Sequence, residues 1–155
     1  MKAKTTNQPK LETIHAFCQN TLAMLSKTYQ MRLPKLEIGP QLKKYNASLT
    51  AMYVPEIHTI LLNESWVSAA SPAEVLLSLF HEFRHAYQAE AVGGRAKLDE
   101  GVDLATLKIW QHEIAHPVQP DPKKPDDPRY LNQTVEKDAV AFAKRSLDTF
   151  FSQGA

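Results

Sequence analysis

The chain has 155 residues, 43% of them hydrophobic, and eighteen basic against seventeen acidic side chains leave a net charge of +1. That length predicts one domain with enough apolar residues for a core, and the balanced charge gives no reason to expect nucleic acid or an anionic membrane surface as a partner. One cysteine, Cys18, excludes an internal disulfide framework and fits a reducing compartment.

Met1 to Lys10 is polar, with no apolar run after its lysines, so it does not read as a secretory signal. The apolar stretch near Val75 to Phe83 is too short to span a bilayer. A cytoplasmic protein without a membrane partner is expected. Residues 1–9 read as a disordered tail, and 10–152 as a single domain.

From Leu11 to Tyr29 the residues Leu11, Ile14, Cys18, Leu22, Leu25 and Tyr29 recur at helical spacing, which predicts a helix with Cys18 on its buried face. Pro34 and Pro40 bracket "KLEI", a short strand. "ASLTAMYV" (47–54) and "HTILLN" (58–63) are strand-like and separated by a turn at Pro55-Glu56, which predicts a hairpin. Ser71-Pro72-Ala73-Glu74 is a capping box with proline at the first helical position. It opens a helix that stops at Gly93-Gly94. A further helix is expected over about Leu98 to His116, with a break near Gly101 and a stop at Pro117. The Pro-rich segment 117–129 reads as a flap. A last helix starts near Thr134, capped by Asn132. The fold class is α+β: an N-terminal helix, a small sheet, then helices.

Two words in this chain, "HEFRH" (81–85) and "HEIAH" (112–116), each spell His-Glu-x-x-His, the zinc-protease motif. In a helix, i and i+4 lie on one face, so two imidazoles there can point at one ion, while the adjacent glutamate reaches a metal-bound water without ligating. The first word lies in a helix that is apolar around nearly its whole circumference, from Val75 to Ala86. Burying a His-Glu-Arg-His cluster there is costly unless something uses it. The second word lies on a mixed face beside the stripe Leu104, Leu107, Trp110 and Ile114, with His116 in a last turn before Pro117. The first word is the expected metal site, and Zn²⁺ the expected ion.

Catalytic zinc needs a third protein ligand. A third histidine six residues after His85 is absent, since that position is Ala91. Among downstream carboxylates Glu136 is favoured, because it starts a helix whose Val135, Ala139 and Phe142 point to core packing. Glu90, Asp99, Glu100 and Asp103 are the other candidates.

"LFHEFRHAYQ" (79–88) followed by "YLNQTVEKDAVAFA" (130–143) resembles the minimal gluzincin metallopeptidases, closest to the ImmA/IrrE-like group and its mobile-element relatives. The second part of that pattern, Glu-x-x-Ala-x-x-Phe-Ala, matches as Glu136, Ala139, Phe142 and Ala143. The resemblance spans about residues 45–145, and the segment 98–129 has no counterpart in it. It implies a zinc-dependent endopeptidase acting on a protein or peptide substrate. His81, His85 and Glu136 would bind the ion, and Glu82 would be the general base. In enzymes of this shape an edge strand holds substrate backbone, here Leu49, Ala51 and Tyr53. Tyr130 is the first candidate for stabilising the oxyanion, with His112 and His116 behind it and simple packing as its alternative. Arg84 is expected to pair with Asp138 or the last helix. A competing reading is a catalytically silent binding or regulatory module of a phage or mobile element on the same fold.

Overall fold

The computed structural model describes residues 8–44, 49–118, 123–124 and 126–153. Most of the expected disordered tail, part of the first hairpin strand and the middle of the Pro-rich flap fall outside these residues. The fold is α+β. Helix α1 (Gln8–Thr28) leads into strand β1 (Lys35–Gly39), then β2 (Ala51–Val54) and β3 (Thr59–Asn63). Five helices follow among the described residues: α2 (Glu64–Ala69), α3 (Pro72–Val92), α4 (Leu104–Ala115), α5 (Pro128–Leu131) and α6 (Thr134–Gln153).

The sheet has the order β1-β3-β2. β1 runs parallel to β3, with Leu36 opposite Ile60, and β2 runs antiparallel to it, with Tyr53 opposite Ile60. β3 is thus central and reads as a continuous apolar run, and β2 is an edge. One sheet face, with Leu36, Tyr53, Ile60 and Leu62, joins Leu22, Leu79, Phe83, Tyr87, Trp110 and Phe142 in the main core. The other carries Val54 and Leu61 against Leu42. Cys18 is wholly inside, and burial pushes its thiol up to about 11, which makes it an inert core residue.

α3 is the axis of the fold. Its start is the capping box: Ser71 Oγ accepts from the Glu74 N–H and the Glu74 carboxylate accepts from the Ser71 N–H, both at 3.2 Å. At its end Gly94 turns left-handed at φ 73, letting the Arg95 N–H reach back to the Glu90 carbonyl at 2.8 Å. Between these ends α3 packs along α6 and against β2, so it holds both other elements of the site.

Three expectations need correction. The helix expected from Leu98 begins at Leu104, because Asp103 is its cap, accepting from the Thr106 N–H at 2.8 Å, and Gly101 sits at φ 86. Leu104 and Ile114 of its supposed apolar stripe are exposed, while Trp110 is buried. Finally, the Pro-rich segment ends in a helical turn, α5, with Pro128 at its start and Asp127 as cap, and Asn132 closes that turn rather than opening α6.

Candidate metal centre

His81 and His85 sit one turn apart on α3, with ring centroids 4.9 Å apart and their Nε2 atoms 3.2 Å apart. The first turn of α6 brings Glu136 onto them. One carboxylate oxygen lies 3.1 Å from His81 Nε2 and the other 2.9 Å from His85 Nε2. Among the described residues this is the one group of three potential metal ligands whose donor atoms all lie within 4.8 Å of one another. The Glu136 side chain is 6% exposed, against 22% for His81 and 18% for His85, so the cluster opens to solvent on the histidine side.

The donor set fits a borderline ion such as zinc: two imidazole nitrogens, one carboxylate and an open side. Around a tetrahedral ion with bonds of ~2.0–2.1 Å, donor atoms stand roughly 3.3 Å apart. The two imidazole nitrogens, 3.2 Å apart, match that spacing, and each lies within 3.1 Å of one of the two Glu136 oxygens.

The next layer fixes the ligands. His85 Nδ1 donates to Gln88 Oε1 at 2.9 Å. The Gln88 amide is itself locked, since its Nε2 donates to the Val135 carbonyl at 2.9 Å and to Asp138 Oδ2 at 2.8 Å. Its oxygen is therefore the atom facing His85, and His85 is held with Nε2 toward the cluster. Asp138 in turn accepts from Arg84, Nε to Oδ2 at 2.7 Å, which forms the expected ion pair with the last helix. The Tyr130 hydroxyl donates to Glu136 at 2.8 Å.

Charge follows from these contacts. Burial disfavours the charged form of His85, but the Glu136 hydrogen bond and the charges of Glu82 and Glu136 outweigh it and raise its pKa to about 9. Burial opposes ionisation of Glu136 too, yet hydrogen bonds from His81 and His85 pull its carboxyl far below the usual carboxylate range. Glu82 is half-buried beside the pair. Burial raises its pKa, partly offset by His85, His81 and a hydrogen bond from the Tyr53 N–H. An upward shift makes a carboxylate a stronger base than a free one.

No protein family, curated protein or solved structure matches the chain.

The other sequence candidates fall as follows. Thr50 accepts from the Asn63 N–H at 2.9 Å. By antiparallel alternation Met52 and Val54 also turn their main chain toward β3, leaving that of Ala51 and Tyr53 on the open edge. The Tyr53 N–H spends that freedom on Glu82. The Tyr53 ring is in the core, its hydroxyl 2.7 Å from His58 Nδ1, while Leu49 packs with the Leu42 cluster. Tyr130 is tied to Glu136, so its one hydroxyl proton is engaged in holding a candidate ligand rather than free for an oxyanion.

In the second word, His112 and His116 stack at 4.5 Å and are exposed. The glutamate of that word faces α6, accepting from the Thr134 N–H at 2.7 Å and the Val135 N–H at 3.1 Å. The rival carboxylates are all occupied elsewhere or outside the cluster. Glu90 pairs with Arg32 and Arg95, Asp99 with Arg84, and Asp103 caps α4. Glu100 lines a separate cavity of about 680 Å³ with Tyr29, Trp110 and Arg145, and none of His81, Glu82, His85 and Glu136 borders it.

Sequence reasoning missed Gln88 and Glu113. Gln88 had a legible signal: it lies three residues after His85, on the same helical face. Glu113 had none, because its partner is the backbone of another helix.

Proposed function

We propose that the chain is a zinc-dependent endopeptidase similar to the minimal gluzincins of the ImmA/IrrE-like group, acting on a protein or peptide. The observation that carries this reading is the convergence of His81 Nε2, His85 Nε2 and the Glu136 carboxylate within 4.8 Å, with Glu82 on the next position of the same helix. A gluzincin-like arrangement of edge strand, histidine helix and glutamate helix is part of the proposal and agrees with β2, α3 and α6.

A bound zinc ion would supply a Lewis acid for the scissile carbonyl and acidify its water toward a pKa of ~7. The remaining chemistry belongs to the chain. His81, His85 and Glu136 hold the ligand set, Gln88 and Tyr130 orient it, and Glu82 takes a proton from the attacking water and delivers it to the leaving amine. The raised pKa of Glu82 suits both halves of that transfer. The open edge of β2 at Ala51 offers main-chain partners for an extended peptide by strand addition. No helix among the described residues is long and apolar enough to cross a membrane.

The test is elemental analysis combined with peptide hydrolysis. Wild type should carry one zinc per chain. His81→Ala should lose it, and His112→Ala/His116→Ala should keep it. Glu82→Gln should retain zinc while losing ~10²–10⁴-fold or more of its activity. Zinc retained by His81→Ala, or full activity in Glu82→Gln, refutes the reading. Zinc-loaded wild type that cleaves no member of a random peptide library favours the catalytically silent module.

A further inference from the structure

The second His-Glu-x-x-His word has no part in the function above, yet its glutamate makes the contact that ties α4 to α6. We propose that Glu113 is a positioning residue for the metal centre: its carboxylate clamps the N-terminus of α6 and so sets the place of Glu136. The inference rests on the metal-site reading.

α6 begins at Thr134, and its first N–H groups have no partner within the helix. Such groups normally take a side-chain acceptor from the residue just before the helix. That residue is Gln133, and its side chain is engaged otherwise, its Oε1 accepting from the Val118 N–H at 3.5 Å and its Nε2 donating to the Tyr130 carbonyl at 3.0 Å. The acceptor comes instead from a residue 21 positions earlier: Glu113 Oε2 takes the Thr134 N–H at 2.7 Å and Oε1 the Val135 N–H at 3.1 Å. A carboxylate is well chosen for this place, since the helix end carries partial positive charge. The next residue in the chain is Glu136.

The consequence for the metal is direct. Glu136 lies in the turn that frays first when a helix end is uncapped, and its carboxylate must stay beside both His81 Nε2 and His85 Nε2, now 3.1 and 2.9 Å away. Tyr130 and the two histidines hold the carboxylate end, and Glu113 holds the backbone end. His112 and His116 flank Glu113 but are exposed, so the word is a capping glutamate between two surface histidines.

The experiment compares wild type, Glu113→Ala, Glu113→Gln and Ser71→Ala. Ser71→Ala removes the cap of α3 and reports what loss of a cap does without touching α6. Zn²⁺ affinity is read by competition with a chromophoric chelator, next to urea denaturation of the metal-free proteins. Glu113→Ala should weaken Zn²⁺ binding about 10–100-fold, the usual effect of removing a group that supports a ligand. Glu113→Gln should recover part of this, because its amide oxygen still accepts one N–H. Ser71→Ala should lower stability and leave Zn²⁺ affinity within about twofold, as expected for separated sites. Equal affinities in Glu113→Ala and Ser71→Ala overturn the inference. A wild type that binds no Zn²⁺ overturns the metal-site reading instead. Amide exchange then decides the clamp alone: exchange accelerated from Thr134 through Lys137 in Glu113→Ala sustains it, and unchanged exchange there sinks it.

Discussion

Arg84→Met should destabilise the metal-free protein strongly, and the size of the effect follows from three contacts. The guanidinium is 2% exposed and binds Asp138 through Nε and Nη2 at 2.7 and 3.2 Å, and Asp99 through Nη1 at 2.6 Å. It also lies 4.3 Å from the Tyr87 ring centroid and 4.8 Å from that of Phe142. Methionine replaces the apolar stem and removes every donor, leaving two carboxylates near each other without a cation. Breaking one buried pair costs ~3–5 kcal/mol. Asp99 and Asp138 keep 28% and 22% exposure, so water recovers part of the loss, and the lower end, ~3 kcal/mol, is expected. For a chain of this size that is a fall in Tm of about 6–12 °C. Urea denaturation followed by circular dichroism, with calorimetry beside it, measures both. Adding Asp138→Asn to Arg84→Met should recover stability, since it removes a stranded charge. A loss below ~1 kcal/mol, or no recovery in the double variant, refutes the reasoning. Zn²⁺ affinity should fall as well, by ~10-fold, because Asp138 also anchors the Gln88 that orients His85.

Three further outcomes are expected. His85 is raised to about 9, so in the metal-free protein its contribution to stability is complete below its unfolded value of ~6.5 and is lost as pH climbs through about 9. Glu136 is depressed, so its contribution is present above ~4.3 and lost on acidification. Because Zn²⁺ competes with the proton on His85 Nε2, binding between about pH 7 and 8 should release close to one proton from His85, in addition to any lost by the acidified water, and tighten toward pH 9. Calorimetry in buffers of differing ionisation heat reads that number, and zero release contradicts the charged pair. Tyr130→Phe should weaken Zn²⁺ binding up to ~10-fold through loss of the Glu136 hydrogen bond. Unchanged affinity with a reduced kcat would move Tyr130 to oxyanion stabilisation.

Local signals were readable where chemistry is local. The Ser71 capping box, the β2–β3 turn at Pro55 and the i, i+4 histidines are each written within a few residues, and each is found where expected. α2 escaped because "ESWVSA" is too short for periodicity, although its Asn63 cap accepts from Ser65 and Trp66 and was there to be read. Asp103 with Thr106 likewise marks the true start of α4. What stayed hidden is tertiary. Nothing near Glu113 says that its acceptors face α6, and nothing near Gln88 says that Val135 and Asp138 will lock its amide.

The two halves of the metal cluster are 55 residues apart in the chain, on helices that meet only when α6 docks on α3. An unfolded chain keeps the adjacent histidines but not their third partner, so an ion binds the native state far better than the denatured one. Zn²⁺ at the proposed site would then be a folding ligand, adding ~2.7 kcal/mol at a free concentration one hundred times its Kd. Metal supply would set how much of this protein stands folded, and a chelator would act on its abundance before it acted on any reaction.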